Sequence, residues 1–391
     1  MREVFLVFLK LGLTSFGGPV AHLGYFRDEF VARRKWLDEA AYADLVALGQ
    51  FLPGPASSQV GLAIGLSRAG LTGGLAAWIG FTLPSALILL LFGYGVEAFG
   101  EAAGSGWLRG LKLVAVAIVA NAVWGMATRL CPDRLRATFA VAATIFVLAV
   151  PGPLGQIGAI VIGGIAGRLL LSDTKPPPGD GVRIDIPLPL ANGLLVLFVV
   201  LLGGLPLLAW MSDSHALALV DSFYRSGALV FGGGHVILPL LEAEVVEPGW
   251  IDRADFLAGY GAAQAIPGPL FTLSVYLGAM MDPEPNGLVG ALICLIAIFL
   301  PSLLLVVGLL PRWATLRERP GVRSALGGVN AAVVGLLLAA LYDPVWTSAV
   351  EGPADFALAL SAFLLLVGWQ VPPWLVVILA ALAGALLLGV R

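Results

Sequence analysis

Four glycine- and proline-rich strings interrupt the apolar stretches of this chain, and they form two copies of one pair. Phe16-Gly17-Gly18-Pro19 and Pro53-Gly54-Pro55 lie in the first half. Phe231-Gly232-Gly233-Gly234 and Pro267-Gly268-Pro269 lie in the second. Around them, rare residue types match in the same order. Phe8/Phe223, Gly12/Gly227 and Glu29/Glu244 are 215 residues apart, and Lys10 faces Arg225 with its charge preserved. Trp36/Trp250, Asp38/Asp252 and Gln50/Gln264 follow at 214, then Leu83-Pro84-Ser85 against Leu300-Pro301-Ser302 at 217. The chain is an internal duplication, so its fold has two equivalent halves, each broken twice. Residues 4–13 therefore belong to the fold, although their apolar run resembles the core of a cleaved leader.

Composition supplies the solvent. Apolar residues make up 59% of the chain and charged residues 12%, about half the roughly 25% of a soluble protein. Mean hydropathy is +0.95, so most of the surface must face lipid. The expected fold class is an all-α polytopic membrane protein with two inverted-topology repeats and broken or re-entrant helices. Apolar stretches run over 4–20, 41–66, 72–97, 109–129, 136–150 and 153–171. Equivalents run over 217–240, 255–279, 287–310, 325–342, 356–369 and 372–390. This divides the chain into a first repeat (1–171), a linker plus one extra segment (172–210) and a second repeat (211–391). An odd segment between equivalents inverts the second copy, a common arrangement in secondary transporters.

Basic residues concentrate on the cytoplasmic side of membrane proteins. If every segment crosses, thirteen lie on the N-terminal side and six opposite, with Arg33-Arg34-Lys35 misplaced. If the four broken segments are hairpins that enter and return, the split becomes sixteen against three (Arg109, Arg253 and Arg391). The hairpin version is favoured, with the N-terminus inside and the C-terminus outside a cytoplasmic (inner) membrane.

Broken helices within a membrane expose N–H groups and positive dipole ends, which suit an anion. The candidate binding set is accordingly Phe16, Gly17, Gly18, Pro53 and Gly54, with Phe231, Gly232, Gly233, Gly234, Pro267 and Gly268. Close packing through small residues is the plainer alternative. Lys10 and Arg225 sit within apolar segments, where a basic side chain costs roughly 2.5–3.5 kcal/mol, so they join the candidates; snorkelling to the interface is the alternative. Lys112 and its repeat partner Asn330 are weaker candidates, and Gln50 and Gln264 supply matched neutral amides. Glu29 and Glu244 are candidates for coupling or gating, or for interfacial ion pairs such as Glu29 with Arg33. His22 and His235 stand in the same class but do not align with each other.

Other classes find little support. Net charge is −3 and no basic run marks nucleic acid as a partner. Cys131 and Cys294 lack metal-type spacing, and no nucleotide-binding loop is present. No metal and no cofactor are expected. A membrane enzyme acting on a lipid phosphate would need a nucleophile or acid/base cluster, and no paired His/Asp set appears.

The strings SFGGPVAHLGYFRDEFV with LGQFLPGP, and FGGGHVILPLLEAEVV with AQAIPGP, resemble the chromate ion transporter family in its long two-repeat form. The resemblance covers nearly the whole chain. It implies a secondary carrier that exports chromate, with sulfate as the related oxyanion, and it implies chromate resistance. Uptake of sulfate or transport of another tetrahedral anion remains the alternative. The expected partners are the oxyanion and the lipid bilayer, with proton coupling and a homodimer left open. Catalytic residues are not expected.

Overall fold

The computed structural model describes residues 1–99, 106–171, 184 and 186–387. Most of the expected linker at 172–186 lies outside the described residues, as do Lys175, Arg183 and Arg391. Eighteen α-helices appear among the described residues and no strand. The first repeat holds α1 (Arg2–Thr14), α2 (Gly18–Arg27, prolonged by a π turn over Asp28–Arg33), α3 (Glu39–Phe51) and α4 (Ala56–Phe99). It continues with α5 (Gly106–Leu130), α6 (Arg134–Ala149) and α7 (Pro153–Leu170). The extra helix is α8 (Leu188–Met211). The second repeat holds α9 (His215–Leu229), α10 (Ile237–Val245), α11 (Arg253–Gln264), α12 (Leu273–Met280) and α13 (Gly287–Leu309). After the short α14 (Trp313–Arg317) come α15 (Pro320–Ala340), α16 (Thr347–Ala349), α17 (Pro353–Val367) and α18 (Pro373–Leu387).

Helix α1 has 13 residues and is about 20 Å long, too short for a hydrocarbon core of about 30 Å. At Gly17 and Gly18 the chain takes φ of +96° and +77° and reverses. The two arms then run back together. Phe8 stacks on Phe30 at 5.0 Å and meets Phe26 edge-on at 5.6 Å. At the open end Arg34 bonds Glu3 at 2.8 Å, so the hairpin starts and finishes on one side. The equivalent arms α9 and α10 are joined by Arg225, which donates twice to Glu244.

The second break behaves alike. α3 returns through Pro53-Gly54-Pro55 into the first arm of α4, with Gly49 packed on Ala56 and Val60. Helix α4 is not continuous: non-helical dihedrals at Ala69 and Gly70 fold residues 56–68 back against 71–99. That turn falls between the apolar stretches 41–66 and 72–97. In the second repeat α11 and α12 close by the same device, with the Tyr276 hydroxyl donating to the Asp255 carbonyl at 3.1 Å.

Among the described residues six helices are long and apolar enough to span a bilayer, counting α4 as one, and α17 and α18 are shorter apolar helices. Beyond Gly70 the path runs through the long arm of α4, then α5, α6, α7 and α8. Of these, α4, α5, α7 and α8 are long and apolar enough to cross, and α6 has 16 residues; five crossings along this path would invert the second repeat. The repeats also exchange helices: α5 packs against α17 and α18, while α15 packs against α6 and α7. Equivalent glycines make the crossings close. Gly12 seats α1 on the Phe81 carbonyl, where a Cβ would lie 2.7 Å away, and Gly227 seats α9 on the Ile298 carbonyl.

Two outcomes test this arrangement. In a background lacking Cys131 and Cys294, cysteines at Lys35 and Gly249, equivalent hairpin bases, should label from opposite membrane faces. Labelling of both from one face would contradict inversion. Gly227→Ala should lower the melting temperature in detergent, by the equivalent of about 1–3 kcal/mol of overpacking. Gly125→Ala, where a Cβ meets nothing within 4 Å, should not.

Candidate functional site

The four hairpin tips meet, and they do so reciprocally. The Gly54 N–H donates to the Val230 carbonyl at 2.7 Å, and the Gly268 N–H donates to the Ser15 carbonyl at 3.0 Å. Gly54 and Gly268 are repeat partners, as are Ser15 and Val230. The PGP tip of each half is therefore held by the carbonyl that precedes the FGG break of the other. Both glycines need backbone that side chains disfavour, with φ of +122° and +105°. Each also lies against a serine of the other half: Gly54 against Ser302, and Gly268 against Ser85. This accounts for the repeated Leu-Pro-Ser string. His22 adds a third tie, with Nε2 3.1 Å from the Ser15 carbonyl and Nδ1 3.2 Å from the Ser57 hydroxyl.

A cavity of about 100 Å³ opens where the first-half FGG tip meets the second-half PGP tip. Gly17, Gly18 and Pro19 form one wall, and Gln264, Ile266, Gly268 and Leu270 face them. His235 and Asn121 complete the polar lining, and Leu366 and Pro373 border it from α17 and α18. Among the described residues no Lys, Arg, Asp or Glu lines it. Two helix starts bear on it. The first is that of α2, whose cap residue Gly17 offers no side-chain bond; the second is the single turn at Leu270–Thr272 leading into α12. Uncapped helix starts present free N–H groups and partial positive charge. The Gln264 Nε2 is buried without a hydrogen-bond partner. The site thus combines an unpartnered amide nitrogen with the start of α2 and, among the described residues, carries no formal charge.

The other sequence candidates fall elsewhere. Phe16 packs on Trp374 at 5.9 Å, outside the lining. On the mirror side Gly232 is covered by Leu130, Met126 and Asn330, and Gly233 by Met126. Gly234 approaches Pro19 and Leu270. Pro53 accepts a bond from Gln59 at 2.6 Å, and Gln50 is exposed. Lys10 is on an exposed face of α1. Arg225 is bound by Glu244 at 2.6 Å and Asp221 at 3.1 Å. Lys112 lines a separate cavity with Arg109, Asp255 and Glu351. Glu29 pairs with Arg33 and Arg34 at the hairpin base, including the bridge its spacing predicts. Pro267 stays buried in its tip.

Sequence reasoning did not single out Asn121 or Tyr260. Asn121 is an amide within an apolar stretch, a readable signal, but its repeat position is Ala339. Tyr260, whose hydroxyl lies 2.9 Å from His235 Nδ1, answers to Val46. Repeat matching selects for what both halves keep and passes over what one half adds.

Two inverted halves that bring broken helices together around a small polar cavity define a membrane transporter. The chain belongs to the chromate transporter family, which it matches over residues 2–168 and 217–385. It is 27% identical to the probable chromate transport protein of Synechococcus elongatus, over 99% of this chain and 95% of that protein. It is 26% identical to the chromate transport protein of Pseudomonas aeruginosa, over 90% and 83%. The uncharacterized transporter YwrB of Bacillus subtilis matches at 31% over 43% of this chain and 85% of its own length, about one repeat. No solved structure matches the chain. These relatives carry the names of transport proteins, and the chain is a transporter and not an enzyme.

Gly268→Ala should place the tip residue in a disfavoured conformation, at about 1–2 kcal/mol, with its Cβ 2.7 Å from Ser85 Oγ. Transport should fall at least about tenfold, as one displaced tip costs roughly 1.4 kcal/mol or more, while the protein still inserts. Arg225→Gln alone leaves Glu244 and Asp221 buried without their cation and should reduce folded yield. Arg225→Gln with Glu244→Gln should restore yield. Transport by the double variant then reports whether Arg225 serves the substrate or only the hairpin.

Proposed function

We propose that this protein is a secondary carrier that exports chromate, with sulfate as a related ligand, from the cytoplasm across the inner membrane. The observation that carries this reading is the neutral cavity between the Gly17-Gly18 and Gly268 tips. Two helix starts and the amides of Gln264 and Asn121 offer N–H groups there to a tetrahedral oxyanion. Membership of the chromate transporter family supports the substrate. The basic residues support the orientation, because with re-entrant hairpins sixteen fall on the N-terminal side and three opposite.

Direction follows from charge. A dianion leaving a cell held at about −100 mV releases roughly 4.6 kcal/mol, twice the 2.3 per unit charge. That sustains a gradient on the order of a thousandfold. Export then requires neither ATP nor an obligatory coupled ion, whereas import of the same dianion would need several cations. Glu29 and Glu244 are held in ion pairs at the hairpins in this reading, and contribute rigidity to the tips.

Inside-out vesicles carrying the protein should accumulate chromate when an inside-positive potential is imposed, and sulfate should protect against this uptake. Accumulation that needs a proton gradient at zero potential would replace potential-driven export by proton coupling. Accumulation in right-side-out vesicles alone would reverse the direction.

A further inference from the structure

Among the described residues that line the cavity, one side chain can change its charge, and it is His235. The other polar side chains there are the amides of Asn121 and Gln264. Nδ1 of His235 lies 2.9 Å from the Tyr260 hydroxyl, and Nε2 has no hydrogen-bond partner among the described residues. The hydroxyl has a second partner in Gln264. A phenol both donates and accepts, and an amide accepts through its oxygen. When His235 is neutral, the hydroxyl can donate to Nδ1. When His235 is protonated, Nδ1–H can donate to the phenol oxygen while the hydroxyl hydrogen turns to the Gln264 amide. Neither state leaves Nδ1 or the hydroxyl unpaired, so one cost of charging an interior side chain is absent.

No charged side chain acts on His235. Tyr260 is its titratable neighbour on α11, and the first-half tip, α5 and the turn before α12 bring only uncharged groups to the cavity. On α15, which packs on the turn bearing His235, Asn330 lies near Gly232. His22 lies behind the Ser15 carbonyl that holds Gly268. On α10 Glu242 and Glu244 are paired with Arg253 and Arg225. Lys112 on α5 and Asp255 on α11 sit about 14 Å further along their helices, in the separate cavity.

We infer that the oxyanion binds together with a proton: His235 takes one proton from solvent as the dianion enters and returns it to solvent when the anion leaves. The inference rests on the proposal that this cavity binds the oxyanion. A dianion taken out of water is costly to hold without an opposite charge beside it, and the start of α2 supplies only a fraction of one. An anion against an imidazole favours the charged form of the ring. The coupling is reciprocal, so protonation tightens anion binding by the same factor. Charge supplied in this way exists only while the anion is present, and the empty cavity holds no buried cation. One proton against two negative charges leaves the loaded site with one net negative charge, which the membrane potential still drives outward. Tyr260 is the positioning residue, because its oxygen accepts the added proton's hydrogen bond.

Sulfate is the probe for the test, because it stays a dianion over the whole range used, whereas chromate itself takes up a proton near neutrality. The full chain in lipid nanodiscs is titrated with sulfate in weakly buffered solution containing a pH indicator. Near neutral pH the wild type should take up close to one proton per sulfate bound, and its Kd should rise by up to about tenfold per pH unit on the alkaline side. His235→Gln should bind sulfate at least about tenfold more weakly near neutral pH, without proton uptake and with a Kd that no longer changes with pH. Tyr260→Phe should lower the proton uptake per sulfate and move the alkaline weakening to lower pH, with folded yield unchanged. Sulfate binding that Gly268→Ala weakens, but that takes up no proton in the wild type, overturns the inference and leaves the cavity reading standing. Proton uptake undiminished in His235→Gln also overturns it, and a Tyr260→Phe profile identical to wild type overturns the role given to the phenol. If the wild type, His235→Gln and Gly268→Ala all bind sulfate equally, the cavity reading itself fails and the inference falls with it.

Discussion

The architecture depends on two hydrogen bonds that are one bond seen twice: Gly54 to the Val230 carbonyl and Gly268 to the Ser15 carbonyl. Each gives a partner to the carbonyl that precedes a broken helix, the Ser15 carbonyl also taking His22, and an unpaired backbone group inside a membrane protein is costly. The FGG tip of one repeat needs the PGP tip of the other, and glycine is required there because the backbone is left-handed and a serine lies alongside. The exchange of α5 and α15 between repeats follows the same logic at the periphery. Each half is completed by its inverted copy.

In the proposed function, helix starts at the meeting tips receive an anion without burying a cation. A lysine or arginine there would carry a desolvation cost of several kcal/mol and would itself need neutralising. The structure does this with Arg225, which is bracketed by Asp221 and Glu244 and so occupied in holding α9 to α10. Lys10, its repeat partner, is exposed. The pair is symmetric in sequence and differs in environment. The tips differ too: the cavity opens beside Gly17 and Gly18, while Met126 and Leu130 cover Gly232 on the mirror side.

The sequence made the duplication and the four breaks readable, because glycine and proline leave local signatures. The turn at Ala69–Gly70 was readable as the gap between two apolar stretches. Contacts between halves were not readable. The Ser302 against Gly54 and the Ser85 against Gly268 are more than two hundred and about one hundred and eighty residues away in the chain, and no local pattern announces them. Asn121 and Tyr260 were passed over because each belongs to one repeat alone. Lys10 and Arg225 drew attention by charge, yet charge does not say which way a side chain faces.

The central claim is that the oxyanion sits between the tips of opposite repeats. A structure determined with chromate bound, with the chromium located by its anomalous scattering, tests it most directly. The account places the metal atom in the cavity bordered by Gly17, Gly18, His235, Gln264 and Gly268. Chromium beside Lys10 or Arg225, or in the outer cavity at Lys112, with the central cavity empty, would contradict it.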